Sequence, residues 1–77
     1  MRRRQEGSYI VTGPHEKEER TLTVRMGISL AQTYATRRRK EAGAFTYYVR
    51  DVLGNTTYAT ITKEEDGTII TRPTIAA

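Results

Sequence analysis

The sequence predicts an α+β fold in the order β-β-α-β-β-β, a mostly antiparallel sheet with one helix packed on its apolar face. Three observations lead to it. Short β-branched and aromatic runs alternate with Gly, Pro and Asp turn signals, as strands and their connections do. One stretch, Leu30 to Ala42, holds no Gly, Pro, Val or Ile and lies between a capping pattern and a glycine. The chain has 77 residues, enough for one domain, and a helix laid on a sheet is the simplest way to bury one stripe of each.

Residues 1–7 are charged and aperiodic and read as a flexible basic arm containing Arg2, Arg3 and Arg4. Residues 8–73 form the domain and 74–77 a tail. The first strand runs from Ser8 to Thr12 and stops at Gly13-Pro14. Residues 14–19 contain no apolar side chain and are expected to be an exposed loop. From Arg20 the pattern alternates, with Leu22, Val24 and Met26 facing one way and Thr21, Thr23 and Arg25 the other, which predicts a half-buried strand ended by Gly27.

The helix is expected to start at Ser29, whose S-x-x-Q spacing to Gln32 matches a capping box, and to end at Gly43 as its C′ residue. Arg37, Arg38, Arg39 and Lys40 then fall in its second half, where cations suit the negative end of the helix dipole. On a helical wheel Leu30, Ala31, Tyr34, Ala35 and Ala42 share an arc of about 140°.

Phe45 to Asp51 and Asn55 to Thr62 read as a hairpin around Asp51-Val52-Leu53-Gly54, with Asp and Gly at the first and fourth positions of a type I turn. A two-residue Gly54-Asn55 loop would set Tyr47 opposite Thr62 and mix apolar and polar residues on both faces. A three-residue loop with Gly54 in the left-handed region pairs Phe45 with Ile61, Tyr47 with Ala59 and Val49 with Thr57. Only this second register leaves one apolar face, so it is the register the sequence predicts. Tyr48 then stands opposite Tyr58, with Arg50 beside them. Asp66-Gly67 leads into a last strand, Thr68 to Arg72, in which either Ile69 or Ile70 faces inward.

Composition narrows the function. There is no Cys, so disulfides are excluded, and His15 alone makes no zinc site. No catalytic, cofactor or metal constellation is found: His15 lies in a charged loop, Glu64, Glu65 and Asp66 share one tight turn, and no Gly-rich phosphate loop exists. No apolar run exceeds three residues, and the arginines of the arm are not followed by the apolar stretch of a signal peptide. The reading is a soluble, cytoplasmic, non-enzymatic protein.

A domain of this size has a marginal core, so a protein partner or a homodimer is expected to complete it. Residues 1–43 hold ten Lys/Arg against five Asp/Glu, and residues 44–77 three against four, so the net charge of +4 belongs to the first part. That raises the prospect of an anionic partner.

Two surfaces stand out. Tyr48, Tyr58 and Arg50 resemble the anchors of protein interfaces and the stacking platforms of single-strand binders. Arg38 projects into the apolar arc of the helix. Either its stem packs at the core edge with its guanidinium reaching water or a carboxylate, or that arc is a contact surface. The leading function is a protein-interaction module, with Tyr48, Tyr58, Arg50 and Arg38 as contacts. The alternative is a nucleic-acid binder using Arg2, Arg3, Arg4, Arg37, Arg39 and Lys40.

The α-β-β-β order of residues 29–72 resembles double-stranded RNA-binding domains in order alone, without their basic glycine-containing motif or closing helix. AP2-type DNA-binding domains place the helix after the sheet. In size, basic arm and lack of cofactor motifs the chain resembles small bacteriophage and mobile-element proteins, which implies a modulator or inhibitor of a host protein.

Overall fold

The first strand of the computed structural model, β1 (Tyr9–Gly13), turns through Pro14-His15 directly into a second, β2 (Glu16–Thr21). The structure describes residues 8–74, so the arm with Arg2, Arg3 and Arg4 lies outside the described residues. The remaining elements are α1 (Val24–Arg37), β3 (Phe45–Asp51), β4 (Thr57–Lys63) and β5 (Ile69–Pro73). The strands make one antiparallel sheet in the order β2-β1-β3-β4-β5, and α1 packs across one face of it. The expected α+β class and element order are those observed.

The segment 14–19 is not an exposed loop: all of it but Pro14-His15 is strand. His15 reverses the chain with φ of 74°, in the left-handed region. A charged strand is stable here because β2 lies at the sheet edge, where β1 supplies its ladder and charged side chains can stay in water. Thr21 alone in β2 is buried.

Leu22, Val24 and Met26 are not a strand either. The Thr23 hydroxyl accepts the Met26 backbone N–H at 3.1 Å, so the helix is capped there, six residues before Ser29. Ser29 is inside the helix, and its carbonyl accepts the Thr33 hydroxyl. Gly27, Ala31, Tyr34 and Ala35 form the buried stripe, at helical spacing. A Cβ on Gly27 would sit 2.8 Å from Val49 Cγ1, so the glycine lets the helix lie close to the sheet. The helix ends at Arg37, well before Gly43. Arg38 is the C-cap, Arg39 and Lys40 follow the helix, and Ala42 is exposed.

The β3–β4 pairing differs from both registers weighed from sequence. Phe45 pairs with Lys63, Tyr47 with Ile61 and Val49 with Ala59, and the ladder then shifts so that Arg50 pairs with Thr57. The turn has the expected chemistry: the Gly54 N–H reaches the Asp51 carbonyl at 2.9 Å, and Gly54 has φ of 75°. The connection is longer by about one pair because Asn55 and Thr56 stay outside the strand, with the Asn55 N–H bonded to Asp51 Oδ1. A slip of two residues preserves the face, so Tyr47, Val49, Ala59 and Ile61 still point into the core beside Val11, Ala31, Tyr34 and Ala35. Ile69, opposite Lys63, packs against that core, which settles the choice between Ile69 and Ile70.

Candidate interaction surfaces

The end of α1 holds the most closely tied charges. Arg38 Nε donates to Glu16 Oε2 at 2.8 Å and its NH1 to Glu41 Oε2 at 2.9 Å, so its guanidinium is held by two carboxylates of its own chain. The Glu16 hydrogen bond raises the Arg38 pKa above its usual range, burial opposing it in part. Arg37 lies over the Tyr34 ring, 5.5 Å from its centroid, and the Tyr34 hydroxyl donates to Glu19 at 3.1 Å. Burial, followed by that bond to a carboxylate, pushes the Tyr34 phenol above its usual value. Arg39 and Lys40 are exposed.

These cations are far from where the arm begins. Glu16 pairs with Gly13 at one end of the β1–β2 hairpin, whereas Ser8 accepts the Val52 N–H at the other. A 14-residue helix spans about 21 Å between those ends. The run 37–40 therefore lies at the far end of the hairpin from Ser8.

Lys63 is the main buried cation. It is fully buried, its Nζ donates to the Glu41 carbonyl, and it lies 4.7 Å from the Phe45 ring centroid. The arrangement ties the segment after the helix to the sheet, since a buried ammonium needs such partners.

On the sheet face away from α1 nothing covers the strands among the described residues. The register sets Arg20, Ile10, Arg50 and Thr57 in one row and Thr12, Tyr48, Thr60 and Arg72 in the next. Thr46, Thr62 and Ile70 make a third, with the two threonine hydroxyls 3.1 Å apart. The Arg50 guanidinium sits over the Tyr48 ring, 5.1 Å from its centroid. Tyr58 is not opposite Tyr48, as the sequence register had it. It falls at the shift between Val49 and Arg50, and its ring meets Tyr9 edge-on at 5.4 Å, while Thr60 stands opposite Tyr48.

A third surface was not singled out from the sequence. Leu22 and Met26, read as core, are about half exposed, 49% and 48%. Met26 lines an open groove of about 520 Å³ between α1 and β2, with Leu30, Thr33, Glu19, Arg20 and Arg25. Its signal in the sequence is Met26 and Leu30, four residues apart on a helix that begins earlier than expected, with Leu22 just before the Thr23 cap.

For chemistry there is little. The His15 ring packs edge-on against Phe45 at 4.9 Å. Asp66 Oδ1 accepts the Thr68 N–H at 2.9 Å, and that bond holds the Asp66 carboxyl below its usual range, so this acid serves the turn. Among the described residues no group of three or more His, Asp or Glu could hold a metal ion, and no helix is long and apolar enough to cross a membrane. No family model matches the chain, and neither a curated protein nor a solved structure matches it.

Proposed function

We propose that this chain is a non-enzymatic protein-interaction module whose contact site is the groove between α1 and β2. The observation that supports it is Met26, a large apolar side chain left half exposed in the lining of that groove, with the half-exposed Leu22 four residues before it in the chain. Covering such a side chain in an open cleft gains about 25 cal/mol for each Å² of apolar surface. Arg25 on the rim favours a partner segment that presents an apolar side chain next to a carboxylate. A modulator or inhibitor of a host protein, of the phage-encoded kind, needs no more than such a surface. We place its action in the cytoplasm, where a chain without cysteine is unaffected by the reducing environment.

The test is a photo-crosslinking residue placed at position 26, and in a second protein at position 66, expressed in the native cell. A discrete protein adduct from position 26, absent from position 66 and lost when Leu22→Ser is added, supports the groove. No adduct from position 26, or the same adducts from both positions, overturns it. An adduct only with the chain itself, with sedimentation showing a dimer that Leu22→Ser dissociates, would make the groove a homodimer interface and remove the host partner.

A further inference from the structure

We propose that the uncovered face of the sheet is a second, separate binding surface, and that its ligand is single-stranded nucleic acid. The argument begins with charge. On β1, β3, β4 and β5 the charged residues that the register places on that face are both arginines, Arg50 and Arg72. Glu16, Glu19 and Glu41 are instead engaged with Arg38 and Tyr34 around the helix. The two layers thus separate charge, and the open layer is left basic.

The kind of polyanion follows from the neutral residues. Thr12, Thr46, Thr57, Thr60 and Thr62 dominate the face, so it is a poor apolar interface and offers hydroxyls to phosphate and sugar oxygens. At its centre the Arg50 guanidinium already lies over the Tyr48 ring. Bases stack on tyrosine rings and on guanidinium planes, and this pair presents both in a fixed arrangement. Arg50 Nε has no hydrogen-bond partner, and among the described residues neither Arg50 nor Arg72 forms an ion pair, so both charges are uncompensated within the domain. Arg50 on β3 and Arg72 on β5 are separated by one strand, about 10 Å across the sheet, which lets two cations flank one strand of backbone. A duplex would hide the base faces that Tyr48 and Arg50 can stack on, so the single strand is the better fit.

The experiment uses the full chain and three fluorescein-labelled probes: a 12-nucleotide single-stranded DNA, the RNA of the same sequence, and the corresponding DNA duplex. Anisotropy is read from 50 to 200 mM salt. The single strands bind more tightly than the duplex. Affinity falls with salt, and Arg50→Ala or Arg72→Ala each flattens the log–log slope by about 0.7, the value for one phosphate contact on a single strand. Tyr48→Ala weakens binding by about tenfold through lost stacking. Amide shifts on titration with the DNA strand fall on Thr12, Tyr48, Thr60 and Arg72. Should Tyr48→Ala fail to fold by circular dichroism, Arg72→Glu, at an exposed edge position, carries the same test.

Undetectable binding of both single strands at 50 mM salt overturns the proposal. So do shifts confined to Arg37, Arg39, Lys40 or the arm, a duplex bound as well as the single strands, or a polyglutamate probe that displaces the DNA at equal charge. The groove lies on the helix side, so this proposal and the protein-docking reading stand or fall separately.

Discussion

Gly13 ends β1 under the ring of Tyr47, and replacing it with alanine tests how tightly the core is packed. A Cβ built there lies 2.3 Å from Tyr47 Cδ2 and 2.7 Å from Cε2. Carbon atoms in contact sit at about 3.5–4.0 Å, so ring and strand must part by more than about 1 Å. Tyr47 cannot swing away: it has no exposed surface, and its ring meets Tyr34 at 5.9 Å. Overpacking of this kind costs about 1–3 kcal/mol or more, and the stiffer unfolded chain returns about 0.4–1 kcal/mol. The 2.3 Å approach puts the cost in the upper part of that range, and the net expectation is a loss of about 1–2.5 kcal/mol. The whole stability of a domain this size is about 4–12 kcal/mol. At about 4–8 °C per kcal/mol, Tm falls by about 5–20 °C. Urea and thermal unfolding followed by circular dichroism measure this.

The control is Gly43→Ala, where φ is 92° but nothing lies within 4 Å of the new atom. Its cost of about 1 kcal/mol is backbone strain alone. Adding Tyr47→Leu to Gly13→Ala removes the ring atoms in the way, and a double-mutant cycle should show coupling of at least about 1 kcal/mol. Tyr47→Leu should couple to Gly43→Ala not at all. A Gly13→Ala protein within about 0.5 kcal/mol of wild type, or strictly additive with Tyr47→Leu, would refute the packing described for this corner.

Three further outcomes are expected. Thr23→Ala should cost about 1 kcal/mol in chemical denaturation because it removes the helix cap, while Ser29→Ala should stay within about 0.5 kcal/mol; the reverse order would restore a helix start at Ser29. Tyr47→Phe should be neutral or stabilising by up to about 1 kcal/mol, because the Tyr47 hydroxyl is buried with no hydrogen-bond partner; a clear loss would reveal one. The phenols of Tyr34 and Tyr47 both titrate above their usual value, chiefly because burial disfavours the phenolate. A raised folded pKa gives stability that is complete below the unfolded value of about 10 and is lost as pH rises through the folded one, so the urea midpoint should drop between about pH 10 and 12; a midpoint flat to pH 12 would contradict their burial.

What could be read from the sequence depended on how much local chemistry agreed with the fold. Phe45–Asp51 is bounded in the structure where its aromatic and β-branched run begins and ends, and the core face of the hairpin came out correctly even though the pairing did not. The slip is not legible because Thr56 continues the β-branched run of the strand, and nothing local says that Asp51 holds Asn55, and Thr56 with it, in the turn. The start of the helix was hidden for a different reason. Leu22, Val24, Met26, Ile28 and Leu30 alternate strictly, the period of a strand, and the i, i+4 spacing within Leu22, Met26 and Leu30 is masked by it. Only the Thr23 cap and the tertiary need for Gly27 against Val49 decide between them. β2 carries no apolar signal at all, since an edge strand can leave its side chains in water. Each of these errors moved a functional surface. Reading 22–26 as core strand concealed the groove, and placing Tyr58 opposite Tyr48 concealed the row that joins Tyr48 to Arg72.

The sheet and helix also explain why a cluster of basic residues in sequence is a poor guide to where this domain is basic. The densest run, 37–40, begins with two residues turned back on the molecule: Arg37 over Tyr34, and Arg38 between Glu16 and Glu41. Lys63 is buried beneath the same segment, bonded to the Glu41 carbonyl, so Glu41 receives one cation on its side chain and another on its backbone. This polar closure secures residues 38–43, which the short helix leaves without a hydrophobic anchor, and it engages the helix-side cations and carboxylates with one another. Arg50 and Arg72 come from strands 22 residues apart in sequence, where neither looks like part of a basic motif. Antiparallel pairing alone brings them to one face, with no carboxylate beside them there. The arginines available to a polyanion are therefore those that sequence leaves scattered, and their effect on binding should exceed that of the adjacent run Arg37-Arg38.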